Sequence, residues 1–419
     1  MSGTLPAQIH TVVIGAGHGG LIMSRLLRRA DREHVVLERR STLGGGWQDR
    51  WDAFQLVTPN FLTDLPDYPY DGPEPDGFMT RDEIAGRTAR YASLIEAPVE
   101  LETDVRRVAL DPTANGGFTV ETSRGTIRAR NVVAATGAFH TPRIPPTARF
   151  GLGITQIHAH HYRSPDALPP GGVLVVGSGQ TGVQLAEELH AAGRSVTLSV
   201  GHCGRARRRY RDRDWFWWVR ELVHHGEEVG TPLPTVDSLP DPRVRFACNP
   251  HLSGHDGGHD TNLRRFAADG MRLVGRFEAG DGDVARFRPD LEENLRFADE
   301  FFDQRFRPLY EAYAKAAGID LPPDEYVQFE HQVPEVTELD LAAEGIATVL
   351  WTTGYVPDYG WLDVPVIGEL GVPRHVRGVS EVPGLTFLGM LWQLDNGSAN
   401  LAGVARDAEY LASRWEASV

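Results

Sequence analysis

Val12-Val13-Ile14-Gly15-Ala16-Gly17-His18-Gly19-Gly20 decides the reading of this chain. Three apolar residues run into Gly-x-Gly-x-x-Gly, and apolar positions continue at helical spacing through Leu21, Ile22, Leu26 and Leu27. That is strand, tight turn and helix, the context in which the motif marks a dinucleotide site. Gly15 permits the turn, Gly17 admits a diphosphate to the backbone, and Gly20 lets helix pack on strand. The helix amino terminus then faces the phosphate charge, beginning at His18. A second strand, His34 to Leu37, ends in Glu38, about 20 residues on, where a carboxylate accepts hydrogen bonds from an adenosine ribose. Arg39 stands beside it.

The pattern then repeats. Val173-Leu174-Val175-Val176 leads into Gly177-Ser178-Gly179-Gln180-Thr181-Gly182, again followed by a helical segment and a strand, Ser195 to Val200. Two motifs in context imply two dinucleotide sites. They differ at the informative position: the second has no acidic residue after its second strand, but Arg205, Arg207, Arg208 and Arg209 follow Gly201. Guanidinium groups bind a 2′-phosphate that a carboxylate would repel, so this site is expected to take NADPH. The alternative is that these arginines form internal ion pairs.

Between the repeats, Leu43-Gly44-Gly45-Gly46-Trp47 is a glycine cluster expected to wrap the same cofactor as Glu38. Thr80 and Glu83 form a capping box for a helix over residues 80–92. Asn115-Gly116-Gly117 reads as a turn within a small antiparallel sheet. Asn131 to Gly137 is an apolar strand closing in Thr136-Gly137, and Ala347 to Gly354 echoes it, closing in Thr353-Gly354. Such paired strands are expected to be crossings between two domains. The fold class is therefore α/β, with two Rossmann-like domains, the second inserted into the first. The first is assigned residues 1–142 and 355–419; the second residues 143–354, with a helical or loop insertion at about 203–330. Residues 291–317 read as one long charged helix, Asp260 as the cap of a helix over 261–268, and Ser398 as the cap of a closing helix from Ala399.

Composition narrows the classes. The chain has 419 residues, 41% hydrophobic and 24% charged, with a net charge of −15, which argues against nucleic-acid binding. No secretory segment or long apolar run is visible, so a cytoplasmic chain off the membrane is expected. Cys203 and Cys248 form neither Cys-x-x-Cys nor a zinc cluster, which disfavours a disulfide reductase. Lys315 is the only lysine, on a polar stretch ill suited to Schiff-base chemistry. His251, His255, Asp256, His259 and Asp260 are too interrupted by glycine for a metal site, so none is expected.

Taken together, these residues resemble the class B flavoprotein monooxygenases, which include flavin-containing, auxin-forming and Baeyer–Villiger enzymes. The resemblance rests on both glycine motifs, Glu38, Gly44-Gly45-Gly46-Trp47 and the two Thr-Gly strands. It implies FAD at the first motif and NADPH at the second, a C4a-(hydro)peroxyflavin, and insertion of one oxygen atom from O2 into a small organic substrate. The family's linker signature, Phe-x-Gly-x-x-x-His-x-x-x-Tyr/Phe in the flavin-containing type and Trp-ended in the Baeyer–Villiger type, is matched by Phe150, His158 and Tyr162. Gly153 lies one residue out of place. Tyr162 favours attack by a soft nitrogen or sulfur. A Baeyer–Villiger or oxidative-decarboxylating enzyme, and an NADPH-dependent flavin reductase or redox-sensing flavoprotein, are the rivals. The resemblance makes Asn60 the candidate catalytic contact to flavin or peroxide, places Trp392, Gln393, Asp395 and Asn396 at the flavin rim with Ser398 among the cofactor-binding residues at the start of the final helix, and is compatible with a homodimer.

Overall fold

A computed structural model describes residues 4–112 and 116–416, so Asn115 of the expected turn lies outside the described residues. Eight strands form the first sheet. Its central strand, Gln8–Ile14, pairs in parallel with His34–Leu37 on one side and Gly125–Ala134 on the other. Strand Leu385–Phe387 returns late in the chain to pair in parallel with Gly125–Ala134. The meander Val105–Leu110, Phe118–Thr122, Gly125–Ala134 is antiparallel. Val12, Val13 and Ile14 are an unbroken apolar run because helices and the second layer cover both sheet faces. The helix His18–Arg29 packs Leu21, Ile22, Met23 and Leu27 onto this sheet, each at most 1% exposed. Each such burial contributes about 1.5–3 kcal/mol.

The second sheet is wholly parallel, in the order Arg272–Val274, Val196–Ser199, Gly172–Val176, Ile346–Trp351, Thr155–His158. Between the sheets the chain crosses twice, and the crossings are tied: Thr141–Pro142 pairs antiparallel with Tyr355–Val356. One core cluster runs from Val13 and Leu21 through Trp51 and Leu56 to Val183 and Leu189, so the two units share a packed boundary.

Several local expectations hold. The Thr80/Glu83 capping box starts helix Arg81–Leu94. Three need correction. The stretch 203–330 is not only helix and loop: Arg272–Val274 extends the parallel sheet, and Phe277–Gly282 pairs with Val284–Phe287 as a hairpin. A three-residue strand is too short to show a period. The long charged helix is two, Leu291–Arg305 and Arg307–Ala316, broken at Phe306 because Pro308 cannot donate to the preceding turn. Asn262 rather than Asp260 caps helix Leu263–Ala268, while Asp260 accepts from the amide of Arg208. No helix among the described residues is long and apolar enough to cross a membrane.

Candidate dinucleotide-binding sites

At the first turn Gly15 has φ +102°, and a Cβ there would lie 2.6 Å from the carbonyl oxygen of Ala135. A Cβ on Gly20 would lie 1.9 Å from the oxygen of Gly15. Gly17 differs: its φ is −72°, and a Cβ would meet nothing within 4 Å. Two glycines are therefore demanded by the fold, and the third keeps the space that a diphosphate needs. Glu38, 4% exposed, closes the turn by accepting from the amide of Ala16 (2.9 Å) and of Arg40 (3.0 Å). The exposed Arg39 is not its ionic partner; Arg40 is, bridging Glu38 and Asp49.

The glycine cluster comes to the same place. A Cβ on Gly45, at φ +61°, would lie 3.0 Å from the Cα of Gly17, while Gly46 faces open space. Trp47 follows with its ring 6.1 Å from that of His18. Burial lowers the pKa of His18 to about 4, so the imidazole is neutral beside the turn. The carboxy-terminal segment arrives from the other side: Leu388 donates to Ala134, and a Cβ on Gly19 would meet Val404 at 3.2 Å. Asn60 is buried at 5% exposure; its Nδ2 donates to the Glu74 carbonyl at 2.9 Å, leaving Oδ1 buried without a donor. Asn396 is exposed. Ser398 does not cap the closing helix, Leu401–Glu416. Its hydroxyl accepts from the amides of Leu394 and Asp395, completing a short turn capped by Asp395.

The second turn repeats the first. Gly177 has φ +110°, with a Cβ position 3.0 Å from the Thr352 oxygen, and a Cβ on Gly182 would lie 1.9 Å from the oxygen of Gly177. Each Thr-Gly strand end thus seals one turn. Ser178, buried, exchanges hydrogen bonds with Gly201, and Thr181 lies in the first turn of helix Gln180–Ala191. Gln180 is committed to protein: its side chain both donates to and accepts from the backbone of Leu252.

Three of the four arginines expected at the 2′-phosphate are turned inward, and Arg209 is exposed. Arg205, Arg207 and Arg208 are 3%, 5% and 2% exposed. Arg205 engages Asp299, Tyr326 and Gln328. Arg207 binds Asp303 and Asp324, with Tyr326 stacked on it. Arg208 donates to the carbonyls of Val57 and Ser253. Apart from Asp214, 3.6 Å from Arg208, these partners lie 45 or more positions away in sequence, which no local pattern shows.

Two histidines knit the crossings. His140 Nε2 donates to the Gly137 carbonyl at 2.8 Å while Nδ1 accepts from Asp358. His158 Nε2 donates to the Gly354 carbonyl at 3.0 Å while Nδ1 accepts from His160. Both must be neutral to accept and donate at once, and burial lowers both pKa values, that of His158 to about 4. Thr136 leans on His140, and Thr353 on the Arg143 carbonyl. His140 went unnoticed because a histidine three residues past a strand carries no spacing signal of its own.

Behind the linker, Tyr162 is fully buried and donates to Glu188 at 3.3 Å. Burial raises the Glu188 carboxyl to about 7, against the Tyr162 hydroxyl and with help from the charge of Asp52. Its folded pKa lies above the unfolded one, so the fold loses stability as pH rises from the ordinary carboxylate range to about 7. Glu188→Gln keeps the acceptor and removes the charge. It is expected to raise Tm over the parent at about pH 8 and to make little difference at about pH 5; thermal melts at both values decide, and an equal effect at both refutes the buried-charge account.

Residues 12–223 match the family model described as pyridine nucleotide-disulphide oxidoreductase. The chain belongs to that family. Over 96% of its length it is 31% identical to an uncharacterized CzcO-like oxidoreductase of Geobacillus kaustophilus, covering 97% of that protein. A Bacillus subtilis CzcO oxidoreductase, also uncharacterized, is 28% identical over 96% of this chain and 98% of its own. Among solved structures, a flavin-containing monooxygenase from Stenotrophomonas maltophilia superposes with TM-score 0.67 at 19% identity, covering 98% of this chain and 99% of that one. A bacillithiol disulfide reductase from Staphylococcus aureus gives 0.58 at 12% identity over 98% and 100%. Both likenesses concern the fold. The same fold thus occurs in solved proteins whose names denote different chemistry, so activity must be argued from the sites.

Proposed function

We propose that the protein is an NADPH-dependent flavin monooxygenase, with FAD at Gly15–Gly20 and NADPH at Gly177–Gly182. The observation that carries this reading is the doubled turn, each with its first glycine sealed by a Thr-Gly strand end, in two domains tied at their crossings. The FAD-side residues fit the cofactor: Gly17 leaves space for the diphosphate, Glu38 is held at the ribose position, and Asn60 keeps a buried acceptor free. Bound flavin would supply electron transfer from the nicotinamide and activation of oxygen. The chain's own work is to hold both dinucleotides, exclude water and present Asn60. His140 and His158, neutral and locked, keep the crossings fixed. The net change is substrate, O2, NADPH and a proton giving oxygenated substrate, water and NADP+.

Tyr162 at the end of the linker favours oxygenation at soft nitrogen or sulfur over Baeyer–Villiger chemistry. The test is NADPH oxidation under labelled O2 with a thioether, a tertiary amine and a cyclic ketone. One labelled oxygen in sulfoxide or N-oxide is expected. Lactone formation alone would favour the Baeyer–Villiger reading. NADPH consumption that yields only hydrogen peroxide with every compound would leave a flavin reductase.

A further inference from the structure

Cys203 and Cys248, which their spacing marks as no redox motif, are joined in a disulfide across 45 residues. Cys203 is buried at 3%, just past strand Val196–Ser199, whereas Cys248 is exposed. Where the bond sits is the informative point. At the first turn the second glycine, Gly17, has nothing within 4 Å of a Cβ position; at the second turn the equivalent glycine, Gly179, has the Cβ of Cys248 at 3.4 Å. Cys248 therefore occupies the space through which a diphosphate reaches the backbone. On one flank the covering segment is pinned by the two hydrogen bonds between Gln180 and Leu252, 2.6 and 3.0 Å. On the other, Arg245 and Phe246 line a small cleft with Gly137, Tyr359 and Met390. Residues 245–252 thus span from the second turn to the first crossing.

The geometry points to a thiol-operated cover: the Cys203–Cys248 disulfide holds this segment over the second dinucleotide site, and reduction by a dithiol releases it to admit NADPH. This rests on the assignment of NADPH to Gly177–Gly182. A thiolate of the dithiol attacks the exposed Cys248 sulfur, forming a mixed disulfide and expelling Cys203 as thiolate, which takes a proton. The second thiol of the reductant then displaces Cys248, which leaves protonated, and the reductant departs as a disulfide. Once the covalent tie is cut, His251 and Leu252 stay anchored, His251 by its backbone pairing with Gly204 and Ala206 and Leu252 by Gln180, and the exposed stretch before them, which carries Cys248, is the part set free. In a reducing compartment, where disulfides are transient and regulatory, such a cover would report oxidation by withholding reductant from the flavin.

The test uses FAD-loaded protein, oxidised with diamide or reduced with dithiothreitol, with thiols counted by alkylation and mass spectrometry. NADPH affinity is measured by anaerobic titration, and flavin bleaching by absorbance. Reduced protein should bind NADPH about tenfold tighter or more, an effect of population shift. Cys248→Ser should match the reduced form under both treatments. Equal affinities in the two redox forms, or two free thiols after diamide, would overturn the cover. If NADPH binds to neither form nor to the variant while FAD remains bound, the cofactor assignment itself falls, and the cover with it. Should Cys248→Ser fail to fold, the two redox forms of the unaltered chain decide alone.

Discussion

Gly17→Ala is expected to fold normally and purify without flavin. At φ −72° alanine is unstrained, and its methyl meets nothing within 4 Å, so the protein itself gives no reason for loss of stability. The methyl would instead stand where the FAD diphosphate approaches. Gly15→Ala makes the contrast: at φ +102°, with the Ala135 oxygen 2.6 Å from the new Cβ, the turn itself must shift. Backbone strain of this kind costs on the order of 1–3 kcal/mol, to which the collision adds. The measurements are the flavin-to-protein ratio and the melting temperature against flavin-stripped parent protein. A yellow, fully loaded Gly17→Ala protein would refute the placement of FAD.

Arg208→Ala is expected to act on folding rather than on cofactor choice. Its guanidinium is 2% exposed, donates to Val57 and Ser253, and lies 3.6 Å from Asp214. The donations join the first domain's loop at Val57 to the second domain. Removing one partner of a buried ionic group costs about 3–5 kcal/mol, which corresponds to a fall in Tm on the order of 10 °C for a domain of this size. NADPH and NADH affinities of the folded fraction should change in parallel. A stable variant with selective loss of NADPH would restore the 2′-phosphate role to this arginine.

Much of the candidate site was legible in the chain because its demands are local. Gly15 and Gly20 must be glycine for reasons that act within a few ångströms of their own backbone, Gly17 is marked by its place in the motif, and Glu38 follows from the length of one helix and one strand. The same locality exposed Gly177, Gly179 and Gly182, and the Thr80/Glu83 cap. For Arg205, Arg207 and Arg208 the alternative of internal ion pairs holds over the 2′-phosphate, and the nearby Asp212 and Asp214 alone do not reveal it. Their partners, Asp299, Asp303, Asp324 and the Val57 carbonyl, arrive through tertiary folding. Ser398 instead completes the separate short turn that Asp395 caps, and the closing helix starts only at Leu401, a division that packing settles.

By itself, then, the sequence determined that two glycine turns, two α/β units and paired Thr-Gly strand ends would exist, since each is dictated by backbone conformation and short-range periodicity. Only the tertiary structure decided which charges meet, that His140 and His158 lock the crossings, and that Cys248 lies over Gly179 while Gly17 stands open. Those outcomes depend on loops closed over dozens to hundreds of residues. The free energy of such contacts comes from burial and pairing, which the order of residues along the chain does not display.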